Sequence, residues 1–185
     1  MTRKTLIYSG PTLYGCDLGK RDNETWLPPA GRGDLLRGVL THNPGQIVLI
    51  DGTFFHTMSV WVKEILYALA DGVRVIGASS MGAIRAAECW RYGMVGIGLI
   101  YEGYKNWTIQ DDAWVAMSYE PVTYKMLTPP PCGMEQKQVD AITAIKYSRE
   151  NDYWPEPKVT MKQIRPLVAP VIDMILETEA LVYGN

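Results

Sequence analysis

Apolar positions along this chain fall into short continuous runs separated by stretches with helical spacing. Residues 5–9 (TLIYS) form a brief apolar run that meets Gly10-Pro11, the pattern of a buried strand entering a loop. Residues 11–33 are rich in Gly, Pro and charge and read as loop, with a short strand at 25–27. Asp34 is placed to N-cap a helix over 35–41, which Asn43-Pro44-Gly45 stops. Residues 46–50 (QIVLI) and 73–78 (VRVIGA) are continuous and β-branched, as strands covered on both faces are. Between them, 58–70 carries Val62, Ile65, Leu66 and Leu69 at helical spacing. A further helix over 81–92 is closed by Gly93.

Strand, helix, strand, helix with such short connections implies a parallel βαβα unit. The turns that follow its strands then share the carboxyl edge of the sheet, where ligands of open parallel sheets bind. The pattern predicts an α/β fold: a single domain with a mainly parallel sheet, a βαβα core and a helical C-terminal appendage. Past Gly98 it predicts a helical turn over 99–104 and a strand over 114–117, then a linker at Thr128-Pro129-Pro130-Pro131. Beyond the linker, 137–149 reads as an amphipathic helix with Val139, Ile142 and Ile145. Thr160 with Gln163 forms a capping box for a helix interrupted at Pro166 and Pro170, and 171–182 reads as the last helix. The expected division is an α/β core over 1–128 with a helical extension over 129–185 packed on it.

At 185 residues the chain has room for one domain with a substantial core. A net charge of −2 argues against nucleic acid as the main partner, because phosphate binding needs a clustered basic surface. Cys16, Cys89 and Cys132 are scattered and odd in number, so a reducing compartment is expected rather than a disulfide framework. With only His42 and His56 available, no metal or other cofactor is expected. Residues 1–10 do not read as a signal peptide, and the apolar runs fall short of the roughly 20 residues that span a bilayer. The expected location is the cytoplasm, without a membrane partner.

The sharpest chemical signal is Gly77-Ala78-Ser79-Ser80-Met81-Gly82 between a strand and a helix. Centred on Ser80 it reads Ala-x-Ser-x-Gly, the small-flanked pattern of a nucleophile elbow, in which a tight turn pushes the central hydroxyl outward. The N–H groups of Met81 and Gly82, at the positive end of the helix dipole, would then suit a developing oxyanion. The plainer reading is that Ser79 or Ser80 caps the helix. A nucleophilic serine needs a base. Lys63, in the helix after Asp51 and flanked by Val60, Trp61 and Tyr67, is the candidate; a partly desolvated amine favours the neutral form. An ordinary surface lysine is its alternative. His56 reads as a loop or surface residue. Asp51 either orients Lys63, binds a partner, or caps its turn. Arg32 and Arg37 are candidates for an anionic substrate or a solvated face. Arg85 and Glu88, three apart, are expected to pair. Asp111-Asp112 reads as a loop or cap.

Taken together, Gly10-Pro11-Thr12-Leu13, Gly33-Asp34-Leu35, Ile50-Asp51-Gly52, the segment Trp61 to Leu66, the segment Gly77 to Glu88 and Gly93-Met94-Val95-Gly96 resemble the TfuA-like family. The similarity is strong over residues 46–116 and patchy over 6–37. It implies a protein that works beside a YcaO enzyme in peptide thioamidation, acting on a peptide or protein substrate through that enzyme. It further implies hydrolysis of the C-terminal thiocarboxylate of a ThiS-type sulfur-carrier protein by a Ser–Lys pair, releasing sulfide. Carried over by motif, the serine before Met-Gly is Ser80 and the lysine before Glu-Ile-Leu is Lys63. Met81 and Gly82 would supply the oxyanion contacts, and Gly10, Pro11, Asp51, Arg32 and Arg85 would line the substrate site. Non-catalytic binding of YcaO and its peptide is the alternative. The sequence departs from the family pattern at Val62, Thr12 and Gly31, where His, Ser and Arg are expected.

Overall fold

Five short strands pair in parallel: β1 (Thr5–Tyr8), β2 (Glu24–Leu27), β3 (Gln46–Leu49), β4 (Arg74–Ala78) and β5 (Val95–Ile97). Their order is β2-β1-β3-β4-β5, so the chain changes direction across the sheet between β1 and β3. In sheets of this order the crevice outside that switch point is the ligand-binding position. The structure, a computed structural model, describes residues 3–54 and 58–183, with side chains as far as residue 178. It has the α/β class and mainly parallel sheet that the apolar pattern predicts.

Period-two alternation sorts the strand side chains onto two faces. Leu6, Tyr8, Ile47, Leu49 and Val75 join one cluster, against α1 (Asp34–His42), α2 (Val62–Ala70) and α3 (Met81–Cys89). Ile7, Val48, Ile50, Ile76 and Ala78 join the other. That second face is covered by α5 (Met134–Glu150) through Ala141, Ala144 and Ile145. Helix α4 (Leu99–Lys105) packs on α3 beside β5, and α6 (Met161–Tyr183) lies across α2. The C-terminal segment thus contributes a layer of the sheet's core as well as an outer helix. Arg149 fixes the end of α5 to Glu24 of β2 at 2.7 Å, and Asp140 accepts from the N–H groups of Leu99 and Ile100 that open α4.

Several elements differ from expectation. Helix α2 begins at Val62 rather than at residue 58, because buried Glu64 accepts the Trp61 N–H at 3.1 Å while also accepting from Gly33 at 2.7 Å. Residues 112–115 form a 3₁₀ turn capped by Asp111 instead of a strand over 114–117. Strand β5 and the small hairpin of β6 (Ser118–Tyr119) and β7 (Met126–Thr128) have no counterpart in the sequence reading. Helix α6 runs unbroken through Pro166 and Pro170. Both prolines are solvent-exposed, whereas Ile164, Val168, Ile172 and Ile175 are buried, so the carbonyls left without an N–H partner face water.

Two glycines set the approach of α3 to the sheet. A Cβ on Gly82 would collide with the Leu49 carbonyl, and one on Gly77 with the Gly82 carbonyl. Backbone therefore rests directly on backbone where β4 turns into α3. Gly77→Ala is expected to lower stability by about 2 kcal/mol through overpacking, read as a shifted denaturant midpoint with an unchanged slope.

Candidate functional site

Only Ser79 and Ser80 separate β4 from α3. Ser80 N–H donates to the Ala78 carbonyl at 2.9 Å, closing a γ-turn around Ser79, which sits at φ +69°. That conformation is strained for a residue with a side chain. Ser80 stands at the N-cap position of α3, yet its hydroxyl makes no capping bond. It accepts instead from Lys137 Nζ at 3.0 Å.

Lys137 lies in the first turn of α5, is fully buried, and donates a second bond to the Val115 carbonyl at 2.9 Å. Burial pushes its pKa below the ordinary lysine value, and the negative charge of the Asp51 carboxylate draws it part of the way back. A lysine so placed is neutral at a lower pH than a free one, as a general base requires. The Val115 carbonyl is available because the 112–115 turn ends there. Cys132 is half-buried just before α5 and donates its N–H to the Trp114 carbonyl at 3.0 Å.

Asp51 follows β3 at the switch point and is buried. Its carboxylate accepts from the Gly10 and Thr12 N–H groups at 2.9 and 3.1 Å and from the Thr12 hydroxyl at 2.6 Å. It therefore holds the loop after β1, where Pro11 opens a 3₁₀ turn, and contributes negative potential at Lys137. Gly10, Pro11, Asp51, Ser80, Met81 and Gly82 all lie at the carboxyl edge of the sheet.

Lys63 does not meet Ser80: the lysine bonded to its hydroxyl is Lys137. The Lys63 ammonium sits 4.4 Å from the centre of the Trp61 ring, with the Arg32 guanidinium 4.6 Å from the same ring. The physical reason is one of layers. Helix α2 belongs to the face opposite α5, and the Ser80 hydroxyl is reached by the helix on the α5 face. Gly82 is also corrected as an oxyanion donor, because its N–H is spent on the Ile50 carbonyl at 3.1 Å. Arg85 pairs with Glu88 at 2.8 Å and donates to the Val60 carbonyl and the Ser59 hydroxyl. All its nitrogens face protein acceptors, which removes it from the substrate-binding set. Arg32 remains exposed and Arg37 lies 4.0 Å from Asp34. His56 lies outside the described residues.

Lys137 did have a sequence signal. It precedes Ala141, Ala144 and Ile145 at intervals of four, seven and eight, so it falls on a small-residue stripe of α5, whereas Val139 is exposed. Among the described residues no group of three His, Cys, Asp or Glu is arranged to hold a metal. Ser80 is 3 % exposed and closed over. Two clefts open at the same edge of the sheet. One of about 480 Å³ is bounded by Gly10, Trp26 and Tyr124, and one of about 700 Å³ by Arg32, Thr53, Met58 and Met174.

The family model described as TfuA-like protein matches residues 51–153, a span that holds Asp51, Ser80 and Lys137. No curated protein matches the chain.

A buried amine is a burden on stability, so Lys137→Met is expected to stabilise the fold by on the order of 1 kcal/mol. The folded parent binds fewer protons than its unfolded chain between the lowered and the ordinary lysine pKa. Its stability therefore rises with pH across that window. Thermal melts of both proteins over a pH series should show this rise in the parent and its loss in the variant.

Proposed function

The chain belongs to the TfuA-like protein family, and we propose that it supports a YcaO enzyme in peptide thioamidation by hydrolysing the C-terminal thiocarboxylate of a ThiS-type sulfur-carrier protein in the cytoplasm. Ser80 is the nucleophile and Lys137 the general base. The observation that carries this reading is the 3.0 Å contact between a fully buried amine and a serine on a strained strand-to-helix turn. No described helix is long and apolar enough to cross a membrane.

Neutral Lys137 takes the Ser80 proton as Oγ attacks the thiocarboxylate carbon. The negative charge then grows on the carbonyl oxygen beside the Met81 N–H, which has no protein acceptor among the described residues. Collapse breaks the C–S bond, and sulfide leaves with the proton that Lys137 holds. Water, deprotonated by the same amine, attacks the acyl-serine, and the amine returns that proton to the Ser80 oxygen as the carrier carboxylate is freed. Burial of the pair supports the base role, since an amine in water would stay protonated at neutral pH.

A second reading, a non-catalytic adaptor for YcaO and its peptide, draws on the closed state of Ser80. Sulfide release from a purified thiocarboxylated carrier separates the two. Ser80→Ala and Lys137→Met should each lose about 10³-fold or more in kcat, while Lys63→Ala keeps most of it. Full activity in Ser80→Ala leaves the adaptor. The pH profile offers a further check: kcat/KM should rise with pH through one ionisation below the ordinary lysine range. Asp51→Asn removes an anion that favours the ammonium, so it should move that rise to lower pH.

A further inference from the structure

The backbone beyond β3 leaves one buried N–H that the Ser–Lys reaction has not used. Past Leu49 the peptides follow a sequence of bonds that fixes their directions. Asp51 N–H donates to the Tyr8 carbonyl at 3.2 Å, and the Asp51 carbonyl accepts from Ala30 N–H at 3.0 Å. Thr53 N–H donates to the Ala30 carbonyl at 3.0 Å. In a planar trans peptide the C=O and N–H point in opposite directions. Consequently the Ile50 carbonyl and the Gly52 N–H both point away from β1 and β2, toward the start of α3. The Ile50 carbonyl is satisfied there by Gly82 N–H. The Gly52 N–H has no acceptor among the described residues, and Gly52 is buried.

Close contact brings the Gly52 backbone to the elbow. A Cβ on Gly52 would lie 2.6 Å from Met81 Cγ, 2.8 Å from Met81 Cβ and 3.0 Å from the Ala30 carbonyl. Glycine is what allows the 51–53 backbone to lie against the residue that follows Ser80. Buried N–H groups without acceptors are costly and rare in folded proteins. Here two of them lie close together, one on Gly52 past the end of β3 and one on Met81, the residue that follows Ser80 at the end of β4. Serine hydrolases on parallel sheets recruit one oxyanion donor from the residue after the nucleophile and a second from the loop after a neighbouring strand.

We infer that the Gly52 N–H is the second oxyanion donor of this site, paired with the Met81 N–H in the role that Gly82 cannot fill. This assignment rests on the reading of Ser80 as an acyl-transfer nucleophile. The two donors receive the oxygen of the tetrahedral intermediate formed on acylation and of the one formed when water attacks the acyl-serine, with no proton transferred to or from them.

The test uses the intact chain labelled with ¹⁵N-glycine and ¹⁵N-methionine and treated with a small fluorophosphonate. Phosphonylation of Ser80 sets a P=O oxygen where the oxyanion develops, and mass spectrometry with the Ser80→Ala variant verifies the site. The amide protons of Gly52 and Met81 should both move downfield and become protected from exchange, while Gly82 stays in place. An adduct on Ser80 that shifts Met81 and leaves Gly52 unmoved overturns the assignment alone. Failure to form any adduct at Ser80 counts against the nucleophile itself, and the second donor falls with it.

Discussion

An ammonium group excluded from water has to be compensated or discharged, and in this molecule that requirement falls on Lys137. Its two acceptors come from different parts of the chain: the Ser80 hydroxyl at the end of β4 and the Val115 carbonyl at the end of a 3₁₀ turn. Desolvation favours the neutral amine, and the Asp51 carboxylate limits how far that goes. The same carboxylate holds the loop after β1 by three hydrogen bonds. The lysine, the serine and the switch-point aspartate therefore form one electrostatic unit across three segments.

Helix α5 can carry such a group because it is anchored along its whole length. Lys137 and Asp140 hold its start, to Ser80 and to the first N–H groups of α4. Ala141, Ala144 and Ile145 bring its middle close to the sheet, and Arg149 clamps its end to Glu24 and to the Leu18 and Gly19 carbonyls. Fixing both ends of a helix restricts the freedom of the amine near its start, and a general base works only when held within hydrogen-bond reach of its proton. Strain at Ser79 and the glycine contact of Gly77 with Gly82 do the same for the serine. Both partners are placed by packing that at the same time builds the core.

Much of this was legible in the residue pattern. The parallel α/β core, the turn that presents Ser80, and the family resemblance carried by residues around it all follow from local signals: β-branched runs, helical spacing and small residues beside a serine. The helix extents were less legible. Helix α2 starts late because Glu64 gathers N–H groups from Trp61, Gly33 and Leu36, a choice made by tertiary contact. Helix α6 tolerates two prolines because its opposite side is buried against α2. Strand β5 is only three residues long, too short for period two to declare itself.

The partner of Ser80 shows where local reasoning ends. By itself the sequence determined a serine at a strand-to-helix turn and a carboxyl edge where loops meet, because both depend on residues close together in the chain. Which lysine reaches the hydroxyl was decided by tertiary structure. Lys63 is 17 residues from Ser80 and lies on the other layer of helices; Lys137 is 57 residues away and lies under the sheet's second face. The availability of individual N–H groups was likewise settled only by folding, since Gly82 finds the Ile50 carbonyl only when α3 rests on β3. Side-chain chemistry is written in the sequence, whereas which groups are left desolvated beside one another depends on how the layers close.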